Sequence, residues 1–339
     1  MLLTDFDFPF DATLIADRPV QPRHDARLLV MARGGGACQH RRVSDLPSLL
    51  EPGDVLVVNN TKVAAARLSG RKRPGGGRVE MVLVRDLGGD VWEVLLKGHT
   101  KPGQVIDLGS DATATIVQQN ASSTTVKLTS AASIATLLKD IGQMPLPPYI
   151  KRAPTAEDRT WYQTIFATVE GAIAAPTASL HFTDDLVAQL RQRGITMVTI
   201  TLHVGPATFQ PVRVTTIEAH RMGAEQIEIS EETAEAVTRA KKERRRVVGI
   251  GTTVARALES AASPDGTVRS MTGHTTLFIV PGYRFRIVDA MMTNFHLPRT
   301  TLLMLVSAFV GLENLRDAYR LAVKEGYRFY SYGDAMLIL

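Results

Sequence analysis

The sequence has little of the material from which disulfide, metal or membrane-embedded structures are built. Its 339 residues contain one cysteine, Cys38, which excludes an internal disulfide and fits a reducing compartment. The longest apolar stretch, residues 301–310, is too short to cross a bilayer, and no basic-then-apolar leader opens the chain. No histidines stand at zinc-ligand spacing. We therefore expect a cytoplasmic protein with no membrane partner and no metal.

The nucleotide-binding fingerprints are also incomplete. Residues 249–253 (GIGTT) follow an apolar run and precede a helical pattern, which is half of a dinucleotide fingerprint. Val254 occupies the place of the third glycine, which disfavours a nicotinamide cofactor, and no Walker lysine follows. The segment still allows a small nucleotide or nucleoside, and a plain strand–helix turn is the alternative.

Charge is present in modest excess. Lysine and arginine number 39 against 34 acidic residues, a net charge of +5, and 29 of the basic residues are arginine. Arginine forks suit phosphates, so the composition is compatible with RNA binding. Genome composition would give the same arginine usage, and the charge alone does not establish a nucleic-acid partner.

The pattern of predicted secondary structure changes twice along the chain. Between residues 63 and 148, short strand-like runs alternate with glycine-rich turns, which is typical of an antiparallel barrel or sandwich. Beyond 150, helix and strand patterns alternate, with further strands expected at residues 277–280 and 285–288 around a Pro-Gly turn. We predict an α/β main domain, residues 1–62 plus 149–339, with an inserted antiparallel β-barrel domain at residues 63–148.

Polar residues cluster where strands of the α/β part are expected to end. Four segments share this feature: residues 175–183 (APTASLHFT), 201–205 (TLHVG), 249–253 (GIGTT) and 293–298 (TNFHLP). Ligands of α/β folds bind at such strand ends, so the four segments predict one composite site.

Several side chains in these segments are candidates for chemistry. His181 and His203 suit a base, a ligand contact or a buried structural residue. Asn294 and His296 alternate with apolar neighbours and share one face of an extended segment, which predicts a recognition edge. Near the C-terminus, tyrosines surround Asp334, an arrangement that suits a planar base or a cation, or that closes the core.

Taken together and in order, these segments resemble one family, the S-adenosylmethionine:tRNA ribosyltransferase-isomerases of queuosine biosynthesis. Matching motifs run from end to end: DFDF (5–8), RLLV (27–30), PGDVLVVNNTK (52–62), MPLPPYI (144–150), AAPTA (174–178), LHFT (180–183), TLHVG (201–205), HRM (220–222), GTT (251–253), PGYRF (281–285), TNFHLP (293–298) and YGDAM (332–336). The sequence departs from the family pattern at Ser179, residues 206–207, Gln210, residues 223–224 and residues 254–255.

The resemblance implies a specific reaction. The enzyme would transfer and isomerise the ribosyl moiety of S-adenosylmethionine onto 7-aminomethyl-7-deazaguanine (preQ1) at the wobble position of a tRNA, giving epoxyqueuosine and releasing adenine and methionine. It also implies an α/β domain with an inserted β-barrel, and no metal or nicotinamide cofactor. We expect a monomer.

Roles follow from this chemistry as hypotheses. The sulfonium acidifies the C5′ hydrogens, so a base is needed, and His203, His181 or Asp334 suits it. Asn294 and His296 suit hydrogen bonding to the departing adenine. The residues assigned to donor binding are Thr177, Thr183, Gly251, Thr252, Thr253, Tyr330 and Tyr332. A methyltransferase that uses the same donor, and an RNA-binding protein without catalysis, are the alternatives.

Overall fold

The computed structural model describes residues 1–120, 123–205 and 212–339. The chain divides into two compact units. The larger comprises residues 1–62, 148–152 and 161–339, and the smaller comprises residues 63–147 and 153–160. The predicted second break at 148/149 therefore differs from the observed division, because residues 153–160 return to the smaller unit after a short passage through the larger one.

The larger unit is built on a nine-stranded mixed sheet. Its strands are β1 (Arg27–Met31), β2 (Gln39–Arg42), β3 (Val55–Asn59), β12 (Thr196–Leu202), β13 (Glu225–Ile229), β14 (Val247–Ile250), β15 (Met271–Thr275), β16 (Ala290–Asn294) and β17 (Ala335–Ile338). Their order across the sheet is β15-β13-β12-β3-β14-β16-β17-β1-β2. Neighbouring pairs among β12, β3, β14 and β16 are parallel, so these four strands end at the same edge of the sheet. A separate two-stranded ladder joins β4 (Thr61–Val63) and β11 (Val169–Ala172).

Helices cover both faces of this sheet. The helices of the chain are α1 (Leu46–Leu49), α2 (Ile134–Asp140), α3 (Asp158–Trp161), α4 (Asp184–Gln192), α5 (Glu231–Lys242), α6 (Thr252–Ser260), α7 (Thr301–Val310) and α8 (Leu312–Lys324). Residues of α5, α6, α7 and α8 pack in one core cluster, and those of α1 and α4 pack in another. No helix among the described residues is long and apolar enough to cross a membrane.

Alternation along the central strands explains the two cores. In β3, Val55 and Val57 face the first cluster, whereas Leu56 and Val58 face the second. Both faces of the strand are buried, so the sequence reads as a continuous apolar run. Thr183 caps α4, since its hydroxyl accepts from the backbone N–H of Leu186.

The smaller unit is a closed six-stranded barrel in which every neighbouring pair is antiparallel. Its strands are β5 (Arg67–Arg73), β6 (Arg78–Asp86), β7 (Val91–Lys97), β8 (Val105–Gly109), β9 (Ala112–Gln119) and β10 (Thr124–Thr129). Their order around the barrel is β10-β7-β6-β5-β8-β9. Alternate residues fill the interior, as Val79, Met81 and Leu83 do in β6. The α/β fold with an antiparallel barrel is thus confirmed. The basic strand β5 escaped prediction because charged residues outnumber apolar ones in it.

The strands predicted at residues 277–280 and 285–288 are wrong. There, a buried carboxylate accepts backbone hydrogen bonds that a neighbouring strand would otherwise accept. Glu259 of α6 accepts hydrogen bonds from the backbone N–H groups of Arg286, Ile287 and Val288, each at 3.0 Å, and from the Tyr283 hydroxyl at 3.1 Å. With these donors satisfied by a side chain, the apolar residues are buried without forming a ladder.

Glu259 should therefore be a stability residue. We expect Glu259→Ala to lower the free energy of unfolding by about 3 kcal/mol, because it leaves several buried donors without an acceptor. Urea unfolding followed by circular dichroism measures the change. Glu313→Ala, at an exposed position of α8, is the control and should remain within about 0.5 kcal/mol of the wild type. Equal stability of the two variants would contradict this role.

Candidate functional site

The carboxyl ends of the four parallel strands form one edge of polar side chains. Asn59 ends β3 and is fully buried. Its amide oxygen accepts from the backbone N–H groups of Thr61 and Leu202, both at 3.1 Å, and its amide nitrogen donates to the Leu202 carbonyl at 2.9 Å. The same nitrogen lies 3.4 Å from the hydroxyl of Thr253, at the start of α6. One side chain thus ties together the ends of two strands and the start of a helix.

A cavity of about 610 Å³ lies against this edge, entirely within the larger unit. Three of the four predicted segments contribute several residues to it, and residues 201–205 contribute Val204. Its described lining is Pro148, Tyr149, Tyr162, residues 174–178, Val204, Val212, Glu225, residues 251–253, Arg256, Thr293, Asn294, residues 296–302, Tyr330 and Ser331. The volume suits a ligand the size of a nucleoside with a side arm.

Asn294 lies at the end of β16, and of its two polar side-chain atoms only the amide nitrogen forms a hydrogen bond. Its amide nitrogen donates to the Tyr330 carbonyl at 3.0 Å and lies 3.3 Å from Nε2 of His181. Its amide oxygen is buried and has no hydrogen-bond partner. An acceptor without a partner beside a cavity suits a ligand that brings its own N–H donor.

His296 lines the same part of the cavity, but as a neutral ring. Its Nε2 atom lies 2.8 Å from the Thr293 hydroxyl, and its backbone N–H donates to the Tyr319 hydroxyl at 2.9 Å. Burial lowers the pKa of His296 to about 3. The imidazole is therefore uncharged at neutral pH, and it offers hydrogen bonds rather than a full positive charge.

Two helices begin at the cavity wall. Gly251 precedes α6 with a φ of 96° and supplies no side-chain cap, so the first N–H groups of α6, beside Thr252 and Thr253, keep their donor capacity. Thr300 caps α7 by accepting from the Leu303 N–H group. Both helix dipoles place partial positive charge at the cavity.

Tyrosines form another part of the lining. The rings of Tyr149 and Tyr330 lie 3.8 Å apart between centroids, at 37°, and the Tyr149 hydroxyl lies 2.5 Å from the Ser331 hydroxyl. Burial raises the pKa of Tyr149, Tyr162 and Tyr330, so all three are neutral phenols. Their ring faces suit a planar base or a cation.

Seven of the predicted site residues line the cavity, and five do not. Those in the lining are Thr177, Gly251, Thr252, Thr253, Asn294, His296 and Tyr330. His181 stands behind Asn294, and burial, together with Arg328 and Arg23, lowers its pKa to about 3. Thr183 is occupied as the cap of α4 and with Nδ1 of His24 at 2.8 Å. Tyr332 packs edge-on against Tyr162.

Asp334 is placed for structure rather than for the donor. It is 2% exposed, and its two carboxylate oxygens accept from the backbone N–H groups of Arg27 and Arg328 at 3.1 and 2.8 Å. It lies outside the cavity lining, and this geometry does not support the hypothesis that it is the base. A carboxylate that joins two backbone segments fixes the start of β17 beside β1.

His203 also lies outside the lining, next to Val204, which belongs to it. Its Nδ1 atom lies 2.7 Å from the Thr61 hydroxyl. Burial lowers its pKa, against a smaller opposing effect of Glu228. Gly171 passes directly over the ring, and a Cβ at that position would approach its atoms to 2.8 Å. The imidazole is thus held in place, half-buried and neutral.

Sequence reasoning missed an ion pair in the lining. Glu225 begins β13 and pairs with Arg256 of α6, and both are about 95% buried. A signal for them exists in the sequence. Glu225 alternates in phase with Ile227 and Ile229, so it belongs to the buried face of its strand. Arg256 follows Thr252 by one helical turn, on the buried side of α6.

Within the described residues, no group of three histidine, cysteine or acidic side chains is arranged to hold a metal ion. The departures at residues 206–207 and Gln210 lie outside the described residues. Ser179, where the family pattern has glycine, is buried with a hydroxyl that has no hydrogen-bond partner.

Comparisons with known proteins identify relatives over the whole chain. The family model described as "Queuosine biosynthesis protein" matches residues 3–338. A protein of Heliobacterium modesticaldum named S-adenosylmethionine:tRNA ribosyltransferase-isomerase is 48% identical over 99% of both chains, and one of the same name from a Methylobacterium species is 50% identical over 98% of this chain and 97% of its own. The crystal structure of an S-adenosylmethionine tRNA ribosyltransferase from Thermotoga maritima is similar with a TM-score of 0.58, at 34% identity, over 99% of this chain and 100% of that one.

The buried neutral histidines predict a pH dependence of stability. His181 and His296 have a pKa of about 3 in the folded protein, below the ordinary value of 6.5. The unfolded chain therefore binds more protons below pH 6.5, and stability that is complete above that pH is lost as the pH falls towards 3. At pH 5 the loss is about 2 kcal/mol for each histidine.

Urea unfolding at pH 7 and pH 5 measures this loss. His296→Gln should show a pH dependence about 2 kcal/mol smaller than that of the wild type. His99→Gln, at an exposed position of the barrel, is the control and should keep the wild-type dependence. An unchanged dependence in His296→Gln would show that the ring is protonated without penalty.

Proposed function

The chain belongs to the queuosine biosynthesis protein family, and from this premise we propose that it transfers and isomerises the ribosyl moiety of S-adenosylmethionine onto preQ1 at the wobble position of tRNA. The products are epoxyqueuosine-tRNA, adenine and methionine. Its relatives are named as ribosyltransferase-isomerases over the full length of the chain, so it is an enzyme of the transferase and isomerase kind. The observation that carries the proposal is this full-length match, together with a cavity that offers a separate environment for each part of the donor.

The adenine end of the donor matches the wall formed by Asn294 and His296. The amide oxygen of Asn294 has no partner and suits the exocyclic amino group of adenine. The neutral His296 ring suits a hydrogen bond to a ring nitrogen as adenine departs. Tyr149 and Tyr330 supply faces on which a planar base stacks.

The amino-acid end of the donor matches the helix starts. A carboxylate is stabilised by the free N–H groups of an uncapped helix and by its dipole. Thr252 and Thr253, at the start of α6, line the cavity with Gly251 before them. Thr177, at the start of the 3-10 helix Thr177–His181, adds a third N-terminus to the same wall.

His203 suits the base that removes a C5′ proton better than His181 or Asp334. His181 lies behind Asn294, and both oxygens of Asp334 accept backbone N–H groups. The lowered pKa of His203 keeps it neutral and able to accept a proton near pH 7. Its bond to Thr61 occupies Nδ1, which leaves Nε2 for the substrate.

The identity of the small products tests the proposal. We expect protein, S-adenosylmethionine and preQ1-containing tRNA to yield adenine and methionine. S-adenosylhomocysteine would indicate a methyltransferase, and binding without turnover would indicate an RNA-binding protein.

Asn294→Ala should slow single-turnover adenine release by roughly 10²-fold or more, the scale for losing a positioned group, with little change in the melting temperature. Ser307→Ala, a buried polar change in α7 outside the cavity, is the matched control. Near-normal release by Asn294→Ala would remove this residue from the site.

The tRNA partner predicts salt-dependent binding through basic side chains. Arg71, Lys72, Arg73 and Arg78 cluster on the barrel, where their partners are surface carbonyls and carboxylates. Such contacts are weak and exchange readily for phosphates. Arg246 differs, because its guanidinium is committed to the buried Asp54 through two bonds, at 3.1 and 2.6 Å.

Charge reversal distinguishes the basic cluster of the barrel from Arg246. We expect Arg71→Glu and Arg78→Glu to weaken tRNA binding and each to reduce the slope of log K against log salt by about 0.7 to 0.9. Arg320→Glu, at an exposed position of α8, is the control with the same charge change. Arg246→Glu should mainly lower stability. Unchanged slopes in both barrel variants would place the RNA elsewhere.

A further inference from the structure

The described lining of the cavity contains one acidic side chain, Glu225, and two basic ones, Arg256 and Arg299. Arg299 pairs with Asp7, which lies outside the lining. The starts of α6 and α7 add partial positive charge to the same walls. Among the described residues, Glu225 therefore supplies the negative charge of an otherwise positive site.

Glu225 is held in one orientation. It is 4% exposed, and its Oε1 atom accepts the backbone N–H of Gly205 at 3.1 Å. Its Oε2 atom accepts from Nη1 of Arg256, whose Nε donates to the Leu277 carbonyl at 3.1 Å. A carboxylate fixed by a backbone N–H and a guanidinium needs little reorganisation to meet a ligand.

Gly205 also places this carboxylate relative to the proposed base. The N–H that Glu225 accepts belongs to the residue two positions after His203, and Val204 between them lines the cavity. Glu225 therefore lies next to the segment that carries His203, although the His203 side chain itself is outside the lining. In S-adenosylmethionine, the C5′ hydrogens and the sulfonium are adjacent.

We propose that Glu225 is the residue that recognises the positive charge of the donor's sulfur and thereby selects a sulfonium over a neutral thioether. The proposal rests on the function proposed above. Arg256 is then a positioning residue, which fixes the carboxylate without contacting the sulfur. The tyrosine faces contribute contact area to either form of the ligand, whereas the carboxylate distinguishes between them.

The physical reason is the cost of burying a cation. A sulfonium that enters a largely apolar cavity loses its hydration, and helix starts and arginines oppose it further. A fixed carboxylate offsets both effects. S-adenosylhomocysteine has the same shape apart from one methyl group, but its sulfur carries no charge. Its affinity should therefore be almost indifferent to the charge at position 225.

Calorimetric titration with these two ligands tests the proposal. We expect Glu225→Gln, which keeps an acceptor for Gly205, to weaken S-adenosylmethionine binding about 10- to 100-fold, the scale of one desolvated charge contact. Binding of S-adenosylhomocysteine should stay within about twofold of the wild type, because no charge contact is lost. Equal weakening of both ligands, or no weakening of either, would overturn the proposal.

Glu259→Gln is the matched control. Glu259 is a buried glutamate of α6, the helix that carries Arg256; it lies outside the cavity lining and bonds to backbone groups. Neutralising it should lower the melting temperature and leave the ratio of the two dissociation constants unchanged. If Glu259→Gln altered that ratio as much as Glu225→Gln does, the effect would be general to buried charge and the proposal would be wrong.

A second variant covers the case in which Glu225→Gln fails to fold because Arg256 is left with an unpaired buried charge. Glu225→Gln/Arg256→Gln removes both charges of the pair and keeps hydrogen-bonding groups. It should also lose the preference for the sulfonium, and retention of that preference would overturn the proposal. Product analysis with the wild type separates the two proposals. If the wild type releases adenine but the variants keep the wild-type ratio of the two dissociation constants, only the role of Glu225 is rejected.

Discussion

The cavity depends on the hydrogen bonds of one fully buried amide, that of Asn59. Parallel strands that end together leave N–H and C=O groups without ladder partners, and a site can form there only if those groups are satisfied. The amide oxygen of Asn59 accepts from two backbone N–H groups, and its amide nitrogen donates to a carbonyl. The same nitrogen also lies near the hydroxyl of Thr253 at the start of α6. Strand β3, strand β12 and helix α6 are thereby fixed at the floor of the site. The neighbouring residue extends the arrangement, since the hydroxyl of Thr201 donates to the side chain of Asn60.

The polar side chains around the cavity include both neutral and charged groups. The residues nearest the proposed adenine position are neutral, because burial removes the charge of His296 and of His181 behind it. The formal charges of the lining belong to the Glu225–Arg256 pair and to Arg299, which pairs with Asp7. A hydrogen-bonding surface without charge suits a base that departs as a neutral molecule. A carboxylate suits the cationic part of the donor. The separation of the two environments follows from which strand ends carry which side chains.

The sequence predicted the fold class and most of the wall of the site, for identifiable reasons. Short strand-like runs separated by glycine-rich turns differ from an alternation of helix and strand patterns, so the sequence predicts the barrel. Asn294 and His296 were found because polar residues interrupt an apolar segment beside a proline. Asp334 was assigned to the wrong environment, since the sequence does not show that its oxygens meet the backbone of Arg27 and Arg328. The apolar patterns of residues 277–280 and 285–288 suggest strands, and for the second run the tertiary contact with Glu259 takes the place of a ladder.

The Glu225–Arg256 pair shows what a pattern can and cannot disclose. Its phase with Ile227 and Ile229 marks Glu225 as buried, but its partner is 31 residues away and on a helix. On the proposed function, this pair also accounts for a difference between donor and products. When the bond between C5′ and sulfur breaks, the electron pair goes to sulfur and methionine leaves as a neutral thioether. The attraction to Glu225 then ends, while the bond of the carboxylate to Arg256 persists. A carboxylate that keeps its bonds to Arg256 and Gly205 can hold the charged donor and release the uncharged product without rearranging the cavity, because the cation it loses is not its only partner.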